Sequence, residues 1–148
     1  MGFETGPFIQ AACLCEKVLQ EKDGVLTLVR IVDVVTHTAG GPNPPEDMPP
    51  LRQNYHLVVM LKSGTAIGRY NLTVVPQKPD GSTDDPVGGS VHFEGEEKGV
   101  NFIVNLSYEF TMEGLYWFKL YLDDEKLTEI PFRVKYNRVV TGPIRSPR

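Results

Sequence analysis

The sequence predicts an all-β domain: two packed antiparallel sheets forming a β-sandwich, immunoglobulin-like or jelly-roll-like, with seven to eight strands and at most one short helix. Three observations predict it. Apolar residues recur at every second position through most of the chain, which places them on one side of a pleated strand. Short segments rich in Gly, Pro and Asp divide the alternating blocks. Only one stretch, near the N-terminus, also fits the period of a helix.

That stretch is "PFIQAACLCEKVLQEKDG". Ile9, Ala12, Cys13, Glu16 and Leu19 could form a helical stripe. Against this, Asp23-Gly24 stands just before a strong strand and is a hairpin signal. Strand over 8–19 is the preferred reading and helix its rival. "VLTLVRIVDVVTH", 25–37, is β-branched and nearly continuous in apolar character, as a central strand would be. "HTAGGPNPPEDMPP" then holds five prolines and should be a stiff, extended loop.

Tyr55, Leu57, Val59 and Leu61 share one face, and "KSG" at 62–64 reads as a turn into Tyr70, Leu72 and Val74. These two segments therefore read as an antiparallel pair closed by Pro76. "PQKPDGSTDDPVGGS" is an acidic, turn-rich loop. In "GVNFIVNLSYEF", Phe102, Val104, Leu106 and Tyr108 oppose Asn101, Ile103, Asn105 and Ser107. "EGLYWFKLYLDDEKLTEIPFRVKY" is a hairpin turning at Asp123-Asp124. Its first strand places Tyr116, Phe118, Leu120 and Leu122 on one face, and the return strand aligns Thr128, Ile130, Phe132, Val134 and Tyr136. Pro131 cannot donate to a ladder, so that last strand should lie at an edge or bulge there.

At 148 residues the chain reads as one domain over 1–148, with 137–148 as a partly ordered tail carrying Arg138, Arg145 and Arg148. A net charge of −4 argues against a phosphate grip over the whole surface, so no nucleic-acid partner is expected. No run of ~20 apolar residues reads as a membrane span, and "MGFETGPF" lacks the marks of a secretory signal. Cys13 and Cys15 point to one face of a strand in poor geometry for mutual bridging, which fits reduced thiols and a cytoplasmic setting.

Sequence signs of chemistry are sparse. The chain has no G-x-S-x-G elbow and no phosphate-binding glycine loop. His37, His56 and His92 stand singly, so neither metal nor cofactor is expected. The best ligand-binding candidates are His56, which could face a cleft, and Gly88, Gly89 and Ser90, whose backbone N–H groups could meet an anion. A small ligand would then sit between loops 39–53 and 77–90. The best interaction surface is Leu115, Trp117 and Tyr121, large side chains on the face of their strand turned from the core.

Two blocks, "AACLCEKVLQEKDGVLTLVRIVDVVTH" and "EGLYWFKLYLDDEKLTEIPFRV", together resemble an uncharacterised bacterial and phage family known only as a domain of unknown function. In that family a D/N-G hairpin opens the chain and a Gly-x-Tyr strand with a proline-bearing partner closes it. Here the motif falls on Gly114, Tyr116 and Phe118, with Asp123-Asp124 in place of a frequent Asp-Gly turn. The resemblance implies a β-sandwich and brings no catalytic residue. The expected function is a non-catalytic β-sandwich acting through a protein–protein or self-assembly surface, most simply as a homo-oligomer. Binding or sequestering a nucleotide-like anion is the second reading, and an unrecognised hydrolase the third.

Overall fold

A computed structural model describes residues 2–142. They form seven strands and no helix: β1 Phe8–Gln20, β2 Leu26–Val32, β3 Val34–Gly41, β4 Leu51–Gln77, β5 Val87–Phe110, β6 Gly114–Leu122 and β7 Glu125–Val140. The ambiguous N-terminal stretch is strand. It pairs antiparallel with β2 through the Asp23-Gly24 turn, where Gly24 takes φ +87° and Asp23 Oδ1 accepts the Val25 N–H at 3.1 Å. Glycine is suited to that left-handed conformation because it has no Cβ to clash.

Hydrogen bonding corrects the expectation of two antiparallel sheets. All seven strands join in one sheet, ordered β2-β1-β4-β6-β7-β3, with β5 on the other flank of β4. The sheet is mixed, because β3 and β7 pair in parallel from Val34↔Arg133 to Gly41↔Val140. The apolar run 25–37 is therefore not a central strand. It splits at Asp33, whose carbonyl accepts the Arg133 N–H at 2.9 Å, and its halves become the two ends of the strand order.

A second correction concerns 55–75, which forms no hairpin. The "KSG" segment is a bulge inside the 27-residue β4, not a turn. Its polar groups are satisfied in place: buried Ser63 donates Oγ to Lys98 O at 2.8 Å, and Thr65 N donates to Thr5 O at 3.1 Å. With those partners supplied, the chain continues and β5 bends beside it. Pro76 lies inside the strand opposite Phe118, one residue before the strand ends.

The bulge sets the shape. A straight strand of this length would span about 90 Å. Yet Tyr55, near the start of β4, lies 5.6 Å (ring centroids) from Phe132 of β7, and β4 meets β6 only through its last six residues. The sheet therefore bends back so that the aromatic faces of its two halves meet. Phe110 stacks on Phe132 at 5.3 Å and meets Tyr116 edge-on at 5.0 Å; Tyr108 meets Phe118 at 5.7 Å. Leu57, Val59, Leu72, Val74, Phe93 and Leu120 complete a core of fully buried residues. The alternating faces expected for β4, β6 and β7 supply most of it.

Local chemistry explains the β6–β7 turn. Asp123 holds φ +51°, donates its N–H to Asn71 O at 2.7 Å and accepts the Asn71 N–H at 2.9 Å. Those two bonds to β4 support an aspartate where glycine is common. Pro131 pairs with Trp117 on one side, while β3 begins pairing only at Arg133, so β7 is locally an edge there. At the other end of β6, the Tyr116 hydroxyl donates to Met112 O at 2.7 Å and accepts Met112 N–H at 3.1 Å. Tyr116→Phe leaves both backbone groups without that partner. It is expected to cost about 2 kcal/mol, read as a lowered urea midpoint with an unchanged slope.

Candidate functional site

A polar concavity lies where the start of β4, the end of β5 and the loop 78–86 converge. It encloses about 360 Å³ and is lined by Arg52, Lys78, Asp84, Asp85, Tyr108 and Thr111, among others. The loop is built to hold its shape. Lys78 N donates to Ser82 O at 2.7 Å, Gly81 N to Lys78 O at 2.9 Å, and Asp84 N to Pro76 O at 3.0 Å. Asp80 accepts both the N–H and the hydroxyl of Ser82, and those bonds hold its carboxyl below the usual carboxylate range.

This arrangement delivers Asp84 to Tyr108. The Tyr108 ring is buried against Phe110, Tyr116 and Phe118, and its hydroxyl donates to Asp84 Oδ2. Lys78 Nζ stands 3.6 Å from the same carboxylate. Arg52 donates to Ser107 Oγ at 3.1 Å and to Glu109 at 3.4 Å. Each cation of the cleft thus already has a carboxylate neighbour, and the phenol serves as a fixed donor. Burial pushes the Tyr108 phenol far above the ordinary tyrosine value of 10.0, and the bond to Asp84 and its charge push it further. A phenol so held is no base at neutral pH.

The raised phenol has a consequence for stability. The folded state keeps the Tyr108 proton at pH values where the unfolded chain loses it. The stabilisation is complete below the unfolded value of 10.0 and falls away as pH rises beyond it. Thermal melts between neutral and strongly alkaline pH should show that decline, and Tyr108→Phe should flatten it.

The residues expected to bind a ligand do not converge. His56 lies on β4 between Cys15 and Asn105, in the half that β1 covers, and its Nδ1 is buried without a hydrogen-bond partner. Gly88, Gly89 and Ser90 pair with Thr73, Leu72 and Asn71 in the other half, so they are strand and not loop. They border a second, shallower cleft of about 410 Å³. Gly88 is required by close packing: a Cβ there would press into Leu72 O and stand 3.0 Å from Thr73 Cα. Of the two loops expected to form pocket walls, the proline-rich one is tied to β7. Tyr136 Oη donates to Pro45 O at 2.6 Å and Arg138 to Pro44 O at 2.8 Å. Strand β7 runs on through Asn137 and Arg138 to Val140, while Arg145 and Arg148 fall outside the described residues.

Leu115, Trp117 and Tyr121 do share the outer face of β6, each half-buried, opposite Arg133, Pro131 and Lys126 of β7. Cys13 and Cys15 are free thiols, Cys15 fully buried. Burial raises both, and for Cys15 the neighbouring Cys13 adds to it while the Lys17 carbonyl opposes it. His37, His56 and His92 sit on three different strands. Among the described residues, no group of three or more His, Cys, Asp or Glu is arranged to hold a metal ion. No helix there is long and apolar enough to cross a membrane.

The contacts of Tyr108, Asp84, Lys78 and Arg52 were not legible as a site. Tyr108 reads in sequence as one more core aromatic, and Asp84-Asp85 as an ordinary solvated turn. Ladder pairing of β4 with β5 sets Arg52 beside Tyr108, and the fold of the sheet brings residues 78 and 84 to them.

Among solved structures, the Pseudomonas fluorescens alkylpurine DNA glycosylase AlkC, bound to DNA containing an abasic site analog, matches with a TM-score of 0.45 and 12% identity. The match covers 87% of this chain but only 30% of that one, and at this level it carries no argument. No curated protein matches the sequence. The profile of DUF6941, a family of unknown function, matches residues 10–135, from within β1 to within β7, and the chain belongs to that family.

Proposed function

We propose that this protein is a non-catalytic β-sandwich that works by self-association through its sheet. The bent sheet is read as two layers closed on the Tyr55, Phe110, Tyr116 and Phe132 cluster, a rigid body with strand edges to offer. One observation carries the reading: β5 is 24 residues long, and among the described residues it pairs only with β4. An edge of that length presents a row of backbone donors and acceptors to any strand of matching shape. The paired charges of the polar cleft support a structural fastening there and not a reaction. The two free thiols support a reducing, cytoplasmic setting.

The test is the solution mass across the micromolar range, by light scattering. A mass rising above the 16.5 kDa of one chain supports the reading. A monomer at every concentration removes it.

A further inference from the structure

The edges of this sheet are not equally guarded. β2 is interrupted by Arg30, which holds φ +54° and pairs with Glu16. β3 is eight residues long and ends in two glycines. The first half of β5 runs into Gly95 and Glu96, both at positive φ, amid Glu94, Glu97 and Lys98. Twists and charges of this kind keep an edge from pairing with a stranger. Residues 99–108, "GVNFIVNLSY", have neither charge nor proline, and they pair with β4 in unbroken register from Gly99↔Lys62 to Tyr108↔Gln53.

Burial along this stretch shows a missing neighbour. On β4, Leu57, Val59 and Leu61 are 0–1% exposed. Their direct partners on β5 are Val104, Phe102 and Val100, which face the same core yet remain only half-buried. The rim of the core therefore stops at β5, on side chains that one more strand would cover.

We propose that two copies of this chain pair antiparallel along residues 99–109 of β5, about a two-fold axis at Val104. The inference rests on the self-association reading and names the surface. The register follows from charge. The uncharged stretch is centred between Ile103 and Val104. An axis at Ile103 sets Glu97 directly against Glu109 of the second copy, and like charges in that position repel. An axis at Val104 sets Glu109 against Gly99, Asn101 against Ser107 and Ile103 against Asn105. On the core side it sets Phe102 against Leu106 and Val104 against itself, so the half-buried row continues across the axis. Such a contact is isologous and closes on itself, giving a dimer and not a fibre.

The experiment uses the full chain. Wild type should show twice the 16.5 kDa mass as concentration rises through the micromolar range. Ile103→Lys with Asn105→Lys places two like-charged pairs across the axis on outward-facing positions and should weaken the dimer about tenfold or more. Ile103→Glu with Asn105→Glu should do the same, and an equal mixture of the two variants should recover the dimer mass as a heterodimer. Should either variant fail to fold, hydrogen exchange on wild type decides: amides within 99–109 should gain protection with concentration. A dimer that ignores both substitutions overturns this interface and leaves self-association standing. A wild-type monomer throughout, or exchange at 99–109 independent of concentration in a chain that still dimerises, also overturns it; the monomer alone removes the underlying reading as well.

Discussion

Phe132→Ala is expected to cost about 4 kcal/mol and to lower the melting temperature by about 10 °C. Phe132 is fully buried at the meeting of the two halves of the sheet, touching Tyr55, Phe110 and Phe118. Truncating it removes its own transfer energy and three aromatic contacts. It also opens a cavity that strands on both sides cannot easily close, because each is held in register by its ladder. Phe132→Leu, which fills most of the volume, should recover well over half of the loss. Denaturant unfolding of both variants checks the pair. A loss near 1 kcal/mol for alanine would mean that the halves do not depend on this cluster.

Gly88→Ala is expected to cost about 3 kcal/mol, although it adds a single methyl on an exposed strand. The reason is backbone, not side chain: the new carbon would meet Leu72 O and Thr73 Cα. A ladder carbonyl cannot move aside without breaking β4–β5 pairing. Gly89→Ala is the control, since its Cβ would only touch the Phe102 ring at 3.4 Å. It should change stability by about 0.5 kcal/mol or less. Unequal effects at adjacent glycines would mark Gly88 as a packing requirement. Equal and negligible effects would show that close packing does not require glycine at position 88.

Much of the architecture was legible because a period of two is a property of the strand itself. Tyr116, Phe118 and Leu120 alternate with Leu115, Trp117 and Lys119, and burial follows that alternation. The Asp23-Gly24 hairpin was legible for the same local reason. What misled was the assignment of partners. "KSG" carries turn chemistry, but whether a chain reverses or only bulges there depends on Thr5 and Lys98, which are distant in sequence. The unbroken apolar run 25–37 could not reveal that Asp33 hands the chain from one end of the strand order to the other. The polar cleft failed to show for a related reason: Asp84 is unlike Asp85 because Tyr108 and Lys78 reach it.

The parallel pairing of β3 with β7 has a bearing on how the molecule comes into being. Val34 finds its ladder partner Arg133 about a hundred positions further along. A chain emerging from the ribosome therefore carries residues 34–41 as an unmated strand until β7 has been made, whereas β1 and β2 can zip at once. Closure entropy of that size makes docking of β3 a late and slow event in maturation. Between the making of β7 and the docking of β3 that edge of β7 is open, so heat shock at the moment of synthesis should harm this protein more than the same stress applied once it is whole.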